Sequence, residues 1–244
     1  MSPHVEGAGV DLAYEEHGAG PPVLLIHGLA SDARALGPVA AALAPDARVI
    51  AHDRRGYGAS GSPEPYTGTT VMEQAEDAAA VLTRLDATGA VVAGDGFGAL
   101  VALDLLRRHP GLVRAAVAAD PPLFALVPEA TEALAAQRQE VDEALRDHGP
   151  GAGVGAWLQG RVEGEALERA GAAHRGFYAD FAGLASWEVT RRELRAIAQP
   201  VVVVTGPASG RAVTLAADRL AALLPSVRRA EDGDLVGAVR SLLG

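Results

Sequence analysis

The residues of this 244-residue chain that could do chemistry gather in short turns. Gly94-Asp95-Gly96-Phe97-Gly98 follows a β-rich run at 90–93 and opens a helical pattern. Glycines let such a turn take backbone conformations closed to other residues, and the N–H groups that begin the helix favour an oxygen carrying negative charge. Asp95 and Asp120 both stand at expected strand ends. Burial would raise either carboxyl into a range useful for proton transfer. The plainer roles are a turn-stabilising hydrogen bond for Asp95 and a cap ahead of Pro121-Pro122 for Asp120. A dinucleotide loop would put Ala99 in the place of a third glycine and Asp120 in the place of the acidic ribose partner. That reading is disfavoured, because such a loop belongs after the first strand of a fold rather than in mid-chain.

Other side chains bound the chemistry from outside the turn. The chain has no cysteine, which excludes disulfides, thiolate nucleophiles and thiolate metal ligands. No pair of its seven histidines joins carboxylates at metal-ligand spacing. No cofactor and no metal are therefore expected. The net charge is −10 and no arginine cluster stands apart as a basic stripe, so nucleic acid is not an expected partner. There is neither Lys nor Asn, so all 21 basic residues are Arg. No run reaches the roughly 18 apolar residues that span a bilayer, and the first residues lack a basic segment followed by an apolar one. The expectation is a cytoplasmic protein, with a small molecule as partner and an oligomeric state that the residues leave open.

Positioning these residues requires elements of two kinds in alternation. Strands are expected at 23–26, 48–51, 90–93, 113–119, 200–205 and 227–230, and helices at 32–43, 71–85, 97–108, 211–224 and 234–243. The result is an α/β fold with a mostly parallel central sheet flanked by helices. From about 123 to 198 the rhythm breaks into helices with a Gly-rich interruption at 149–155. We read 123–198 as an inserted helical cap, and 1–122 with 199–244 as the core of a single structural domain. The cap holds Phe124, Trp157, Phe177, Tyr178, Phe181 and Trp187. These pack the cap onto the core, or some of them line an apolar pocket beneath a lid.

Four motifs occur in order: His27-Gly28 after the first strand, Asp53-Arg54-Arg55-Gly56-Tyr57-Gly58-Ala59-Ser60 after the second, the Gly94–Gly98 turn, and Asp120-Pro121-Pro122-Leu123. Together they resemble the α/β-hydrolase superfamily, in particular members with a helical cap after the sixth strand. The resemblance makes Gly94–Gly98 the nucleophile elbow, G-x-nucleophile-x-G. Only Gly96 as the central residue leaves glycines at the two flanking positions; an Asp95 nucleophile would put Ala93 and Phe97 there. The resemblance also places the general-base histidine after the last strand, yet no histidine follows His174, and Asp234 takes that place. The acid's usual loop reads Gly206-Pro207-Ala208-Ser209 with Ala208 at its position, while Asp120 fits an alternative location. A degenerate triad at Gly96, Ala208 and Asp234 is the expectation.

What the resemblance leaves intact is an oxyanion pocket built by Gly28, Leu29, Gly96 and Phe97, with donors from the N–H groups of Leu29 and Phe97. Asp95, Asp120 and His27 are the catalytic candidates; for His27, support of the oxyanion loop is the stronger role. His52, His148 and His174 are expected in structural or surface positions, as are Arg34 and Arg211, and Asp53 in a structural loop. The function expected is a cofactor-free, non-hydrolytic lyase, isomerase or cyclase that stabilises an oxyanion or enolate of a small, largely apolar carbonyl metabolite of bacterial secondary metabolism. Its rivals are a pseudoenzyme that binds a ligand or partner, and a hydrolase using Asp-activated water.

Overall fold

Apolar residues alternate along the strands and so sort into two layers. In β3 (Pro22–Ile26), Val23 and Leu25 join one buried cluster, while Leu24 and Ile26 join the other. β4 (Arg48–His52), β5 (Ala90–Asp95), β6 (Val113–Ala119) and β7 (Val201–Val204) repeat the pattern. β7 is four valines, all buried, as a strand covered on both faces requires. With β8 (Val227–Ala230) these six strands are parallel. The computed structural model describes residues 2–184 and 187–244.

Two N-terminal strands, β1 (His4–Glu6) and β2 (Asp11–His17), extend the sheet antiparallel to order β1-β2-β4-β3-β5-β6-β7-β8. Nothing in the sequence reading anticipated them. β2 reads DLAYEEH and buries only its leading half, so its apolar signal is too weak to stand out.

The helices cover both faces. On one side lie α2 (Val71–Arg84), α3 (Phe97–Arg108) and α9 (Arg211–Ala221), and on the other α1 (Gly37–Leu43) and α10 (Leu235–Arg240). α2 starts where the Thr70 side chain accepts a hydrogen bond from the Glu73 N–H, and it buries Val71, Ala75, Ala78 and Leu82 along one stripe. α3 is buried from Phe97 through Leu106, which makes it a rigid support for the turn before it.

Between β6 and β7 run α4 (Thr131–His148), α5 (Pro150–Leu158), α6 (Gly164–Ala172), α7 (His174–Gly183) and α8 (Arg191–Arg195). The Gly-rich stretch expected to interrupt this region is instead the helix α5, started by Pro150. Its glycines serve close packing: Gly153 lies against the Tyr178 hydroxyl, and a Cβ on Gly151 would reach Gly171 Cα at 3.9 Å. Val141, Val154, Leu158, Ala170 and Phe177 form a small cluster of their own with Ala30. Leu123, Val127, Ala130, Trp187, Leu194 and Ile197 belong to the main core cluster. Among the described residues, no helix is long and apolar enough to cross a membrane.

Candidate active site

The chain leaves β3 toward β4 on one side, while β5 returns on the other side of β3. Adjacent strands whose connections depart in opposite directions open a crevice at their carboxyl ends, where ligands of open α/β sheets bind. Gly28 and Leu29 follow β3, and Asp95 ends β5 with Gly96 after it at that crevice.

The turn has the geometry that the glycine spacing implies. Gly96 has φ 53° and ψ −117°, a region that non-glycine residues enter only under strain. Gly94 and Gly98 are glycines for steric reasons: a methyl group on either would collide with backbone, on Gly98 from the first and on Ile26 from the second. At Gly96 the space is open, with the nearest atom to an added Cβ being Gly28 Cα at 3.8 Å. The apex therefore stands at Gly96 and points into free volume. Asp95 is the last residue of the strand and Phe97 the first of α3. Gly94 and Gly98 thus answer to close packing within the protein, and Gly96 to its backbone conformation.

Asp95 and Asp120 converge. Asp95 pairs in register with Ala119, the residue before Asp120. Its Oδ2 would lie 3.4 Å from a Cβ on Gly28, so the carboxyl borders the loop that follows β3. Limited hydration, and then the charge of Asp120, push its pKa up to about 6, against an opposing pull from Arg161. Asp95 is nonetheless an exposed residue at the end of β5, and its own bond with the Gly96 backbone, like Arg161, pulls the pKa back down. Asp120 has φ 44°, unusual for a residue with a side chain, and its Oδ1 accepts a 2.5 Å hydrogen bond from Ser209 Oγ. Ser209 Oγ accepts in turn from the Gly206 N–H at 2.8 Å. In the loop after β7 it is Ser209 that reaches Asp120, while Ala208 lies exposed.

Among the described residues, the N–H groups of Leu29 and Phe97 have no acceptor. Both are free to serve a ligand oxygen.

The remaining predicted residues fall elsewhere. His27 is buried with both nitrogens engaged: Nε2 accepts from the Arg54 N–H at 3.0 Å, so Nδ1 carries the proton and donates to Gly28 O at 2.9 Å. Burial and the Arg54 charge hold its pKa well below the usual histidine range. It therefore ties the loop after β3 to the loop after β4 and has no lone pair or proton free for a substrate. Asp234 is exposed and accepts from the Gly237 N–H at 2.8 Å, capping α10. Asp53 accepts from the Ala33 and Ala59 N–H groups and holds its own loop. His52 is buried at the end of β4, with its pKa pushed down to about 3 by burial and Arg54. Arg34, Arg211 and His148 are exposed, and His174 Nδ1 lies 3.1 Å from Gly171 O.

Two cavities border the loops that follow β3 and β6. One of about 290 Å³ is lined by Leu100, Leu123, Phe124, Trp157, Phe181 and Trp187 among others, which puts four of the six aromatics named between 123 and 198 on its wall. Phe177 and Tyr178 are not among its walls; Phe177 packs against Trp157 and Phe181, and Tyr178 against Phe177. A larger one of about 420 Å³ lies between β2 and α6, and neither cavity has Asp95, Gly96 or Asp120 in its lining. Among the described residues, no group of three His, Cys, Asp or Glu could hold a metal ion.

Sequence reading missed Arg161, Ser209 and the buried pair Arg54–Asp180, whose charged atoms lie 2.7 Å apart. The one signal for Asp180 was a carboxylate inside the aromatic run of α7.

A family model for the α/β-hydrolase fold matches residues 21–152. The chain belongs to the α/β-hydrolase fold family. The 2-(acetamidomethylene)succinate hydrolase of Mesorhizobium japonicum is 29% identical over 224 residues, 86% of this chain and 78% of that protein. A Bacillus subtilis protein named "uncharacterized hydrolase YraK" is 34% identical over 49% of this chain, a match that spans only 44% of its own length. Among solved structures, an α/β hydrolase from Sphaerobacter thermophilus superposes with a TM-score of 0.78 at 24% identity, over 99% of this chain and 98% of that one. This hydrolase-fold protein thus shares its whole architecture with that enzyme, and carries glycine at the apex of its elbow.

Proposed function

We propose that the protein is a non-hydrolytic enzyme, a lyase, isomerase or cyclase, that moves protons on a small, largely apolar carbonyl compound without a covalent enzyme intermediate. One observation carries this reading: a carboxyl with a pKa near 6, Asp95, borders two unengaged N–H donors at a turn whose apex has no side chain. The triad positions support it, since Gly96 offers no nucleophile and Asp234 is engaged as a helix cap. The substrate carbonyl oxygen accepts from the Leu29 and Phe97 N–H groups. Ionised Asp95 takes a proton from the carbon beside that carbonyl, and the electron pair moves onto the oxygen as an enolate. The proton then returns to another carbon, or the enolate expels a leaving group or closes a ring. The apolar cavity beside Leu100 would take the body of the substrate, with residues 123–198 acting as a cap above it.

A second reading rests on the relatives, which are named hydrolases. In it, Asp95 deprotonates a water that attacks the carbonyl directly. Incubating carbonyl compounds with the enzyme in D₂O and in H₂¹⁸O separates the two. Deuterium at the carbon beside the carbonyl, without ¹⁸O in the product, supports the proposal; ¹⁸O in a cleaved acid supports hydrolysis. Thermal stabilisation by a compound that is never converted indicates a binding protein instead. A serine-directed fluorophosphonate should leave the protein unlabelled.

A further inference from the structure

Arg54 is buried in the loop after β4 and spends every guanidinium donor atom on a named partner. Nε donates to His27 O at 2.9 Å, Nη2 to Gly28 O at 2.8 Å and Nη1 to Gln74 Oε1 at 2.6 Å. Nη1 also meets Asp180 Oδ2 of α7 at 2.7 Å. Asp180, fully buried, accepts further from Tyr57 OH at 2.7 Å and Gln74 Nε2 at 2.5 Å. The guanidinium carbon lies 4.9 Å from the Phe97 ring centroid. One side chain therefore touches the loop of the first oxyanion donor, the residue that supplies the second, and a helix from the segment between β6 and β7.

The peptide unit between Gly28 and Leu29 turns these contacts into an aim. Its C=O and N–H belong to one rigid plane and point in opposite directions. Gly28 O is held by Arg54 Nη2 on one hand and by His27 Nδ1 on the other. Glycine at position 28 leaves the backbone free to rotate that plane, and two donors on the oxygen remove the freedom. A lysine could answer Asp180 as a point charge but could not span both carbonyls, which needs a planar fork.

We propose that Arg54 is a positioning residue that aims the Leu29 N–H into the crevice, and that Asp180 makes this aim depend on the seating of α7. The inference rests on the oxyanion reading given above, not on Asp95. When α7 is seated, Arg54 has its counter-ion and clamps the loop. When α7 lifts, the guanidinium loses that charge partner and the Leu29 N–H loses its fixed direction.

The test uses 4-nitrophenolate as an oxyanion probe in the Asp95→Asn protein, which lacks the competing charge. Absorbance separates bound phenolate from bound phenol, and 4-nitroanisole serves as the neutral isostere. Asp95→Asn is expected to prefer phenolate over the isostere by at least about ten-fold. Adding Arg54→Lys should erase most of that preference while affinity for 4-nitroanisole stays the same, and adding Asp180→Asn should give an intermediate value. The pair Arg54→Met with Asp180→Asn removes both buried charges together, which keeps the fold testable where a single change would strand one charge. Folded Arg54 variants that keep the full phenolate preference overturn the inference and leave the oxyanion reading standing. Asp180→Asn equal to its parent overturns the coupling to α7. No phenolate preference in the Asp95→Asn parent removes the oxyanion reading and this inference together.

Discussion

The loops that follow β3, β5 and β6 differ in kind from those that follow β7 and β8, although all five open on the same edge of the sheet. The first three bring Leu29, Asp95, Gly96 and Asp120 to one crevice, with two N–H groups free and the charge of Asp120 close enough to raise the Asp95 pKa. In the last two, Asp234 caps a short helix, Ala208 faces solvent, and Ser209 reaches across to bond Asp120. The first set offers unengaged backbone donors, and the second engages its polar side chains within the fold. Backbone donors survive substitution because they depend on the path of the chain, whereas a triad depends on side-chain identity at each position.

Changes on the two sides of this divide should separate cleanly. The largest effect is expected from Asp95→Asn, which should lower turnover of any converted carbonyl compound by about 10²- to 10⁴-fold with binding retained, as measured by isotope exchange beside calorimetry. Asp234→Asn should leave the same turnover unchanged, and a comparable loss there would erase the contrast. Within the turn, Gly98→Ala must push a methyl group into the Ile26 carbonyl and is expected to cost several kcal/mol, on the order of 3 or more, in urea unfolding. Gly96→Ala meets open space and suffers only from its positive φ, for about 1–2 kcal/mol. Equal costs at the two glycines would refute the placement of the apex.

Smaller effects follow from charge and capping. The Asp95 carboxyl has a folded pKa of about 6, above the ordinary 3.8, so the native state holds that proton more tightly than the unfolded chain does. The stability this contributes is complete below the ordinary value and is lost as pH rises through about 6. Asp95→Asn cannot ionise and should therefore be more stable than the parent at pH 8, by on the order of 1 kcal/mol once solvent access is allowed for. Near pH 4 the two should converge. Asp234→Ala removes the cap of α10 and should cost about 1 kcal/mol at any pH where the carboxylate is ionised.

The sequence disclosed the first region better than the second. The glycine spacing around Gly96 is a direct imprint of backbone collisions, and β7 announces itself because burial on both faces demands an unbroken apolar run. β1 and β2 escaped because they lie toward the open edge and carry charged residues that serve solvent rather than core. α5 escaped because its glycines look like helix breakers, while their use is to let α6 and the Tyr178 hydroxyl approach. Arg54 and Asp180 are neighbours only in space, and a sequence pattern carries no signal for a buried pair joined across two distant elements. Ser209 was overshadowed by Ala208 because a register count along a loop cannot tell which residue turns inward.

Titration of the Asp95 carboxyl carbon by ¹³C NMR, in the parent and in Asp120→Asn, tests the proton-transfer role most directly because it needs no substrate. The site described here predicts a midpoint near 6 in the parent and a lower one once the like charge of Asp120 is gone. A parent midpoint at the ordinary aspartate value, unmoved by Asp120→Asn, would show that the crevice does not tune Asp95 and would contradict its assignment as the proton carrier.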